Sequence, residues 1–387
     1  MHRHTLRAIA ALFLLAGACS KGSSTSPPTT GSPVTTITST SSPTASPTPL
    51  PPTRLASGEA LPSECIPGSP QPTDTVAFAA LGRAWALGSS GVDLTCLFNV
   101  VDPGPFVWGP RGDRVLLASL RVDGLPGAQT RQASDVEPGP ASWGHPTGKS
   151  VVFVSSDGHE LDKAHMGNST LDDVTPVPDV TYLSVTYHPS GLAFAFALES
   201  EGEQSIWISS NVGEDPRRLV FSEEGTTFGA LAFSLDGESL YYAAQHSDDH
   251  PELHQITLTD TSEAPVVWHG TVGQGVLDIW PGSEVKSFAF TQGESCEKAV
   301  AMYSTSNVAS TALPDETRPT RVLGWLDETS ILVAAGPCGG PVDLSSVNTS
   351  NGGIVPLVFG VDAGAVRTPA PVPAPPLPEG IGGSGFA

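Results

Sequence analysis

The feature that most constrains the fold of this chain is an aromatic residue that recurs about every 45 residues. It stands at Trp108, Trp143, Tyr187, Phe233, Trp280 and Trp325, with steps of 35, 44, 46, 47 and 45 residues. Each aromatic precedes a turn rich in Gly, Pro, Ser or Asp and then about four β-favouring residues, a pattern typical of a hairpin. A helical reading fails because the apolar runs are short and broken by Gly and Pro. A repeat of about 45 residues holds four short strands, which is the size of one β-propeller blade.

The best-preserved turns read WGPRG at 108–112, WGHPTG at 143–148, YHPSG at 187–191 and FSLDG at 233–237. This pattern resembles the WD40-like repeats of TolB-type β-propellers over roughly residues 74–366. The resemblance implies an all-β propeller, for which six blades are usual. Residues 75–98 read as three strands that lack a first strand, and residues 354–367 read as strands left over. Joining both chain ends in one blade of a propeller domain at 59–367 gives seven four-stranded blades, with six as the alternative.

Charge excludes several classes of partner. The chain of 387 residues has 40 acidic and 18 basic residues, a net charge of −22. This balance argues against nucleic-acid binding and against docking by charge on an anionic membrane. Four of the basic residues precede residue 59 and all the acids lie at or after it, so the propeller segment carries 14 − 40 = −26. Such a domain favours basic or cationic partners, with association rates that fall as salt is added.

The first 18 residues read as a lipoprotein signal peptide. Arg3 and Arg7 precede an apolar run at 8–16 that is too short for a permanent transmembrane helix. The sequence LAGAC at 15–19 resembles a bacterial lipobox, which implies lipid attachment at Cys19 after cleavage. An ordinary cleaved secretory signal is the alternative. No later apolar run could span a bilayer, so we expect a protein held at the extracytoplasmic face of the cell membrane by its lipid alone.

Both ends of the mature chain have compositions that disfavour folding. Of the 35 residues at 20–54, 27 are Ser, Thr or Pro. A segment with so little to bury cannot offset its conformational entropy, so we predict a disordered tether at 19–58. It resembles the tethers of actinobacterial lipoproteins. The Pro/Gly-rich segment 368–387 is predicted to be a disordered tail.

The cysteines support an exported protein. They are Cys19, Cys65, Cys96, Cys296 and Cys338. Lipid on Cys19 leaves an even number, which in an exported protein predicts two disulfides, with three possible pairings. We favour Cys296–Cys338, because each follows its repeat aromatic by 13–16 residues and so lies in the loop after the second strand of adjacent blades. We favour Cys65–Cys96 because it would fasten the N-terminal segment to an early strand.

One segment has the composition of a metal site. Residues 246–254 read HSDDHPELH, and His246, Asp248, His250 and His254 could coordinate Zn²⁺ or a similar ion. An exposed loop between two strands is the alternative. The chain has no Gly-x-Ser-x-Gly elbow and no His-Glu-x-x-His motif. A prolyl-oligopeptidase-type enzyme would need a further α/β domain, for which the repeats leave no room. We therefore predict no catalytic residue and no cofactor.

Two functions from different classes remain. The first is a monomeric, non-enzymatic binding or interaction scaffold on the outer face of the membrane, whose partner is an envelope protein or polymer. The alternative is a propeller enzyme or sugar-binding protein, of lyase or glycosidase type, with its site at the central channel. An enzyme of that type needs paired carboxylates that converge on the channel. The channel therefore discriminates between them.

Overall fold

Each sequence repeat forms an antiparallel sheet in the computed structural model. The structure describes residues 53–68, 74–99, 106–109, 114–117, 121–124, 131–132, 141–144, 148–165, 171–222, 225–246, 250–283, 287–305, 308–313, 318–367 and 376–377. The only helix in these ranges is one 3-10 turn, Cys296–Lys298. None of the described helical structure has the length and apolar character needed to cross a membrane.

The described residues form 29 strands. The first eight are β1 (Arg54–Leu55), β2 (Asp74–Ala80), β3 (Arg83–Gly88), β4 (Thr95–Asn99), β5 (Phe106–Trp108), β6 (Arg114–Leu117), β7 (Arg121–Gly124) and β8 (Arg131–Gln132). The next eight are β9 (Ala141–Trp143), β10 (Ser150–Val154), β11 (Leu161–His165), β12 (Leu171–Asp173), β13 (Thr181–Tyr187), β14 (Ala193–Ser200), β15 (Glu203–Ser210) and β16 (Arg217–Phe221). Then follow β17 (Thr226–Phe233), β18 (Ser239–His246), β19 (Pro251–Thr257), β20 (Val266–His269), β21 (Gly275–Pro281), β22 (Phe288–Gly293), β23 (Val300–Thr305) and β24 (Val308–Thr311). The last are β25 (Thr320–Trp325), β26 (Ser330–Ala335), β27 (Val342–Asn348), β28 (Ile354–Val361) and β29 (Ala363–Val366).

These strands assemble into seven sheets within the described residues, six of four strands and one of five. In chain order they are blade 1 (β29, β2, β3, β4), blade 2 (β5–β8), blade 3 (β9–β12), blade 4 (β13–β16), blade 5 (β17–β20), blade 6 (β21–β24) and blade 7 (β25–β28 with β1). The first strands of neighbouring blades are in contact in six of the seven pairs, including β29 with β5 and β25 with β29. The predicted all-β propeller is confirmed, and the sheet count is that of the seven-bladed arrangement.

The two ends of the chain close the ring together. The C-terminal strand β29 pairs antiparallel with β2, where Ala363 lies opposite Ala79 and Val366 opposite Val76. Blade 1 thus takes its innermost strand from the C-terminal end, as the sequence predicted. In addition, β1 pairs with β28 as a fifth strand of blade 7. That strand lies inside the stretch 19–58 that the sequence assigns to the tether.

The repeat aromatic closes, or nearly closes, the first strand of its blade because the next residues reverse the chain. In blade 4 the backbone N–H of Gly191 donates to the carbonyl of His188 at 2.8 Å, and Gly191 has φ of +72°. In blade 5 Gly237 makes the equivalent bond to Ser234 at 2.9 Å, also with φ of +72°. Glycine adopts this left-handed conformation without steric cost, which explains why the repeat ends its turn with it.

Burial between blades stabilises the ring. The second strand of blade 4, β14, has six consecutive buried residues, because one of its faces packs on each neighbouring blade. Polar bonds also join the blades. The fully buried His188 ring donates from Nε2 to the carbonyl of Gly237 in the next blade at 2.9 Å, and its Nδ1 accepts from the Ser190 backbone N–H at 3.1 Å. Burial lowers the pKa of His188, so the neutral ring is the form that links blades 4 and 5.

Both predicted disulfides are present. Cys65 joins Cys96 on β4, with their Cα atoms 5.5 Å apart. Cys296 joins Cys338 across blades 6 and 7, with their Cα atoms 5.9 Å apart. Cys296 and Cys338 each lie in the loop after the second strand of their blade, as the spacing indicated. The first bond fixes the N-terminal segment and the second joins two blades.

Candidate functional site

The first strands of all seven blades enclose a central channel of about 1170 Å³. Its wall is mainly apolar and aromatic, because the repeat places an aromatic residue at or near the end of each of six first strands. Among the lining residues are Trp108, Trp143, Tyr187, Phe233, Trp280 and Trp325. Val107 and Leu277 also line it and remain 45% and 42% exposed. Concave apolar sites of this size are typical of ligand binding.

Irregular pairing decides which side chains face this channel. In four consecutive blades the pairing of the first and second strands shifts register, at Tyr182/Ser184, Phe228/Leu231, Val276/Asp278 and Val322/Gly324. A bulge adds a residue to one strand, so it changes the face to which the next side chain points. In blade 6 the shift lies directly before the acidic residue Asp278.

Asp278 is an acidic residue of the channel wall with a strongly raised pKa. Its Oδ1 accepts a hydrogen bond from the backbone N–H of Thr291 on the adjacent strand, at 3.0 Å. Burial raises the pKa of Asp278 to about 6, against the opposing effects of the hydrogen bonds from Thr291 and the charge of Arg321. Arg321 lies on β25 of the next blade and also lines the channel. The wall therefore contains a carboxyl group whose pKa is close to neutral pH, and the positive charge of Arg321 on the neighbouring blade acts on it.

The second carboxyl of the described wall, Asp362, does not form a pair with the first. It precedes β29, in the blade beyond Arg321. Burial is the sole cause that raises the pKa of Asp362, and the carboxylate of Asp278 makes no contribution. Two carboxylates that shared a substrate site would raise each other's pKa. Neither carboxyl raises the pKa of the other, so the described wall shows no coupled pair of acids of the kind that the enzyme hypothesis requires.

The channel carboxyl could have been found in the sequence. Two positions before the repeat aromatic, the other five repeats have apolar residues. They are Phe106, Ala141, Val185, Leu231 and Leu323. Asp278 alone is charged at this position. The signal is visible only after the repeats are aligned on their aromatics.

The four residues of the predicted metal site do not all lie together in the structure. His246 and His254 both turn an imidazole nitrogen toward one carboxylate, that of Glu252. His250 is exposed, and Asp248 lies outside the described residues. Across the described ranges, no three His, Cys, Asp or Glu side chains are arranged to hold a metal ion as they stand. The predicted lipid-attachment residue, Cys19, also lies outside the described residues.

Replacing Asp278 with Asn should remove part of the pH dependence of stability. The pKa of Asp278 is higher in the folded chain, about 6, than in the unfolded chain, about 3.9. Between these values the folded state binds more protons, so this group lowers the free energy of unfolding as the pH rises from 4 to 6. Across that interval we expect the free energy of unfolding of Asp278→Asn to rise by about 1 kcal/mol relative to that of the wild type. The effect is no larger because solvent in the channel screens the charge.

Urea unfolding at a series of pH values measures this difference. Burial also raises the pKa of Asp162 to about 6, so the wild-type profile alone does not isolate Asp278, whereas the difference between the two proteins does. The control, Glu203→Gln, removes an exposed carboxylate from blade 4. Equal slopes for Asp278→Asn and the wild type between pH 4 and 6 would contradict the assignment.

Fold and channel together define a seven-bladed β-propeller closed by its own chain ends. No family model matches the chain, and no curated protein matches it. Among solved structures, one from a study of two prolyl endopeptidases is similar, with 12% identity and a TM-score of 0.52 over 76% of this chain and 50% of that one. The present chain thus spans about half the length of that endopeptidase.

Two TolB structures are also similar in fold. TolB from Acinetobacter baumannii has 11% identity and a TM-score of 0.44, over 76% of this chain and 65% of that one. A TolB described as putative, from Agrobacterium tumefaciens, has 11% identity and a TM-score of 0.44, over 75% and 90%. The propeller fold that the repeats predict is confirmed by the seven sheets themselves. At these identities the likeness concerns the fold alone.

Proposed function

We propose that this protein is a lipid-anchored propeller that acts as a non-enzymatic binding scaffold on the extracytoplasmic face of the cell membrane. Its partner is an envelope protein or polymer that presents an apolar segment with basic groups nearby. The lipobox-like sequence around Cys19 supports the anchor, and the disulfides support export. The net charge of −26 on the segment after residue 58 supports a basic partner.

The observation that carries the scaffold proposal is the chemistry of the channel wall. Exposed Val107 and Leu277 face a space large enough for a peptide segment, among aromatic rings. The two described carboxyls, Asp278 and Asp362, do not raise each other's pKa. An apolar wall with few fixed polar groups favours binding, whereas glycoside cleavage requires two acids at a set separation.

Site-specific crosslinking in living cells tests this proposal. A photoreactive amino acid at Leu277 should give one discrete adduct with an envelope component, at a yield several times that obtained from Val212. Val212 is the matched control, because it is similarly exposed (52%) but lies in the β15–β16 turn and does not line the channel. Added salt should lower the yield, since electrostatic attraction assists the encounter. Equal yields from the two positions would contradict a channel partner.

A further inference from the structure

Blade 5 contains a carboxylate surrounded by three imidazoles, away from the channel wall. Oε2 of Glu252 lies 3.0 Å from Nε2 of His254 and 3.9 Å from Nε2 of His246. Its Oε1 lies 3.0 Å from Nδ1 of His269. We call these four residues the blade-5 histidine cluster.

The fold builds this cluster from three adjacent strands. His246 ends β18, Glu252 and His254 alternate on β19, and His269 ends β20 directly opposite Glu252. Residues two apart on a strand share a face, so Glu252 and His254 project to the same side. His269, 15 positions after His254 in the chain, joins them only through strand pairing.

The hydrogen bonds of His254 require a cation or a second proton at its Nε2. Its Nδ1 lies 3.0 Å from the carbonyl oxygen of Ala264, which can only accept, so Nδ1 bears a proton. Nε2 then faces the Glu252 carboxylate, which also accepts. Two lone pairs at 3.0 Å repel each other unless a positive centre lies between them. His254 therefore has its outer nitrogen fixed and its inner nitrogen directed at an anionic oxygen.

His246 has a similar arrangement, in which the outer partner is a hydroxyl that can donate or accept. Its Nδ1 lies 2.8 Å from Oγ1 of Thr226, and its Nε2 faces the same carboxylate oxygen as His254. Histidine ligands of metals typically donate their second ring N–H to a carbonyl, a carboxylate or a water, which sets the tautomer and the ring orientation. The carbonyl of Ala264 and the hydroxyl of Thr226 occupy these outer positions. The surroundings of both rings are thus those of metal ligands.

We propose that the blade-5 histidine cluster binds a divalent transition metal ion, with Zn²⁺ as the best match, through His246, Glu252, His254 and His269. Histidine nitrogens with one carboxylate are a ligand set that zinc commonly uses. The sequence pattern had pointed to Asp248 and His250 as the other ligands. The structure assigns Glu252 and His269 in their place.

The distances require only small movements. At bond lengths of about 2.0–2.1 Å, two ligand atoms of a tetrahedral zinc site lie about 3.3 Å apart. Nε2 of His254 and Nε2 of His246 lie 3.0 and 3.9 Å from Oε2 of Glu252, on either side of this value. His269 instead faces the other carboxylate oxygen, Oε1, at 3.0 Å. Binding draws His246 closer to the carboxylate by about 0.6 Å. His269, whose side chain is 67% exposed, is free to turn toward the ion, and its exposure gives the ion a route from solvent.

Metal titration of the purified mature protein tests the proposal. After treatment with a chelator, calorimetry should show one Zn²⁺ bound per chain, and Co²⁺ should give the intense visible absorption of tetrahedral coordination. Glu252→Gln and His269→Ala should each weaken the affinity for Zn²⁺ by at least about tenfold. His254→Ala should abolish stoichiometric binding, but its ring stacks on Tyr242 at 4.9 Å, so its folding must be checked by thermal unfolding. His269→Ala keeps the test decisive, because that ring is mostly exposed.

Two control variants separate this site from incidental binding. His250→Ala removes an exposed histidine close in the chain, and His165→Ala removes a partly exposed histidine that lies 2.7 Å from Asp172 on blade 3. Both should bind Zn²⁺ with the wild-type affinity. Absence of stoichiometric binding in the wild type would overturn the proposal, as would equal affinities for the wild type, Glu252→Gln and His269→Ala. Neither outcome bears on the channel, so this inference stands or falls separately from the proposed scaffold function.

Discussion

A chain that ends after Asp362 should fail to fold cooperatively, whereas one that ends after Arg367 should unfold near the denaturant midpoint of the full mature chain. The difference between them is β29, whose four residues form the innermost strand of blade 1 and pair with β2. Its loss removes the buried side chains of Ala365 and Val366, leaves the inner edge of β2 unpaired and opens the channel wall between blades 2 and 7. We expect a cost of about 5 kcal/mol or more, which is comparable to the whole stability of many domains.

Guanidinium unfolding followed by tryptophan fluorescence and near-UV circular dichroism measures this effect. The chain ending after Arg367 is the control, because it lacks only the tail. That control should lose at most about 1 kcal/mol, since Leu377 of the tail is partly buried against the core shared by blades 4 and 5. A sharp, wild-type-like transition in the shorter chain would show that the ring does not depend on closure by its own ends.

Replacing Cys19 with Ser should move the protein from the membrane fraction entirely into the soluble fraction. Each buried CH₂ of an attached acyl chain contributes about 0.8 kcal/mol, so two chains give stable anchoring and their loss removes it. Nothing in the charge would compensate, because the acidic propeller segment is repelled by anionic headgroups. Fractionation after a carbonate wash and incorporation of labelled palmitate measure the change.

Ser20→Ala is the matched control for this experiment, since it alters the adjacent residue and keeps the cysteine. It should remain in the membrane fraction and incorporate palmitate as the wild type does. A membrane-bound Cys19→Ser variant would contradict the lipoprotein assignment. A wild-type protein that is already soluble and unlabelled would instead support the ordinary secretory signal.

The fold was largely predictable because each repeat contains the local sequence signal of a hairpin. The aromatic and the turn glycine recur in phase, so blade boundaries, ring closure by residues 363–366 and the pairing of Cys296 with Cys338 could be inferred from spacing along the chain. The channel was less predictable, because irregular pairing decides which side chains face inward. Asp278 stands out once the repeats are aligned on their aromatics, but no spacing rule marks the register shift that precedes it.

The histidine cluster shows a second limit of sequence reading. A run of His and Asp residues drew attention to this hairpin, but closeness in the chain gave no sign that Glu252 and His269 lie beside His246 and His254. Strand pairing places Glu252 opposite His269 across blade 5. Such cross-strand neighbours depend on loop length and register, which the sequence of a single hairpin does not determine.

The pairing of β1 has a mechanical consequence. Any pull on the N-terminal segment enters the ring at Arg54 and Leu55, which pair with only two residues at the edge of β28. Such a short edge strand yields by peeling, one residue pair at a time. Beyond it, the covalent bond between Cys65 and Cys96 transfers the load to β4 of blade 1. Under tension, β1 can therefore detach from β28 and lengthen the N-terminal segment. The disulfide then prevents the force from reaching the inner strands of the ring.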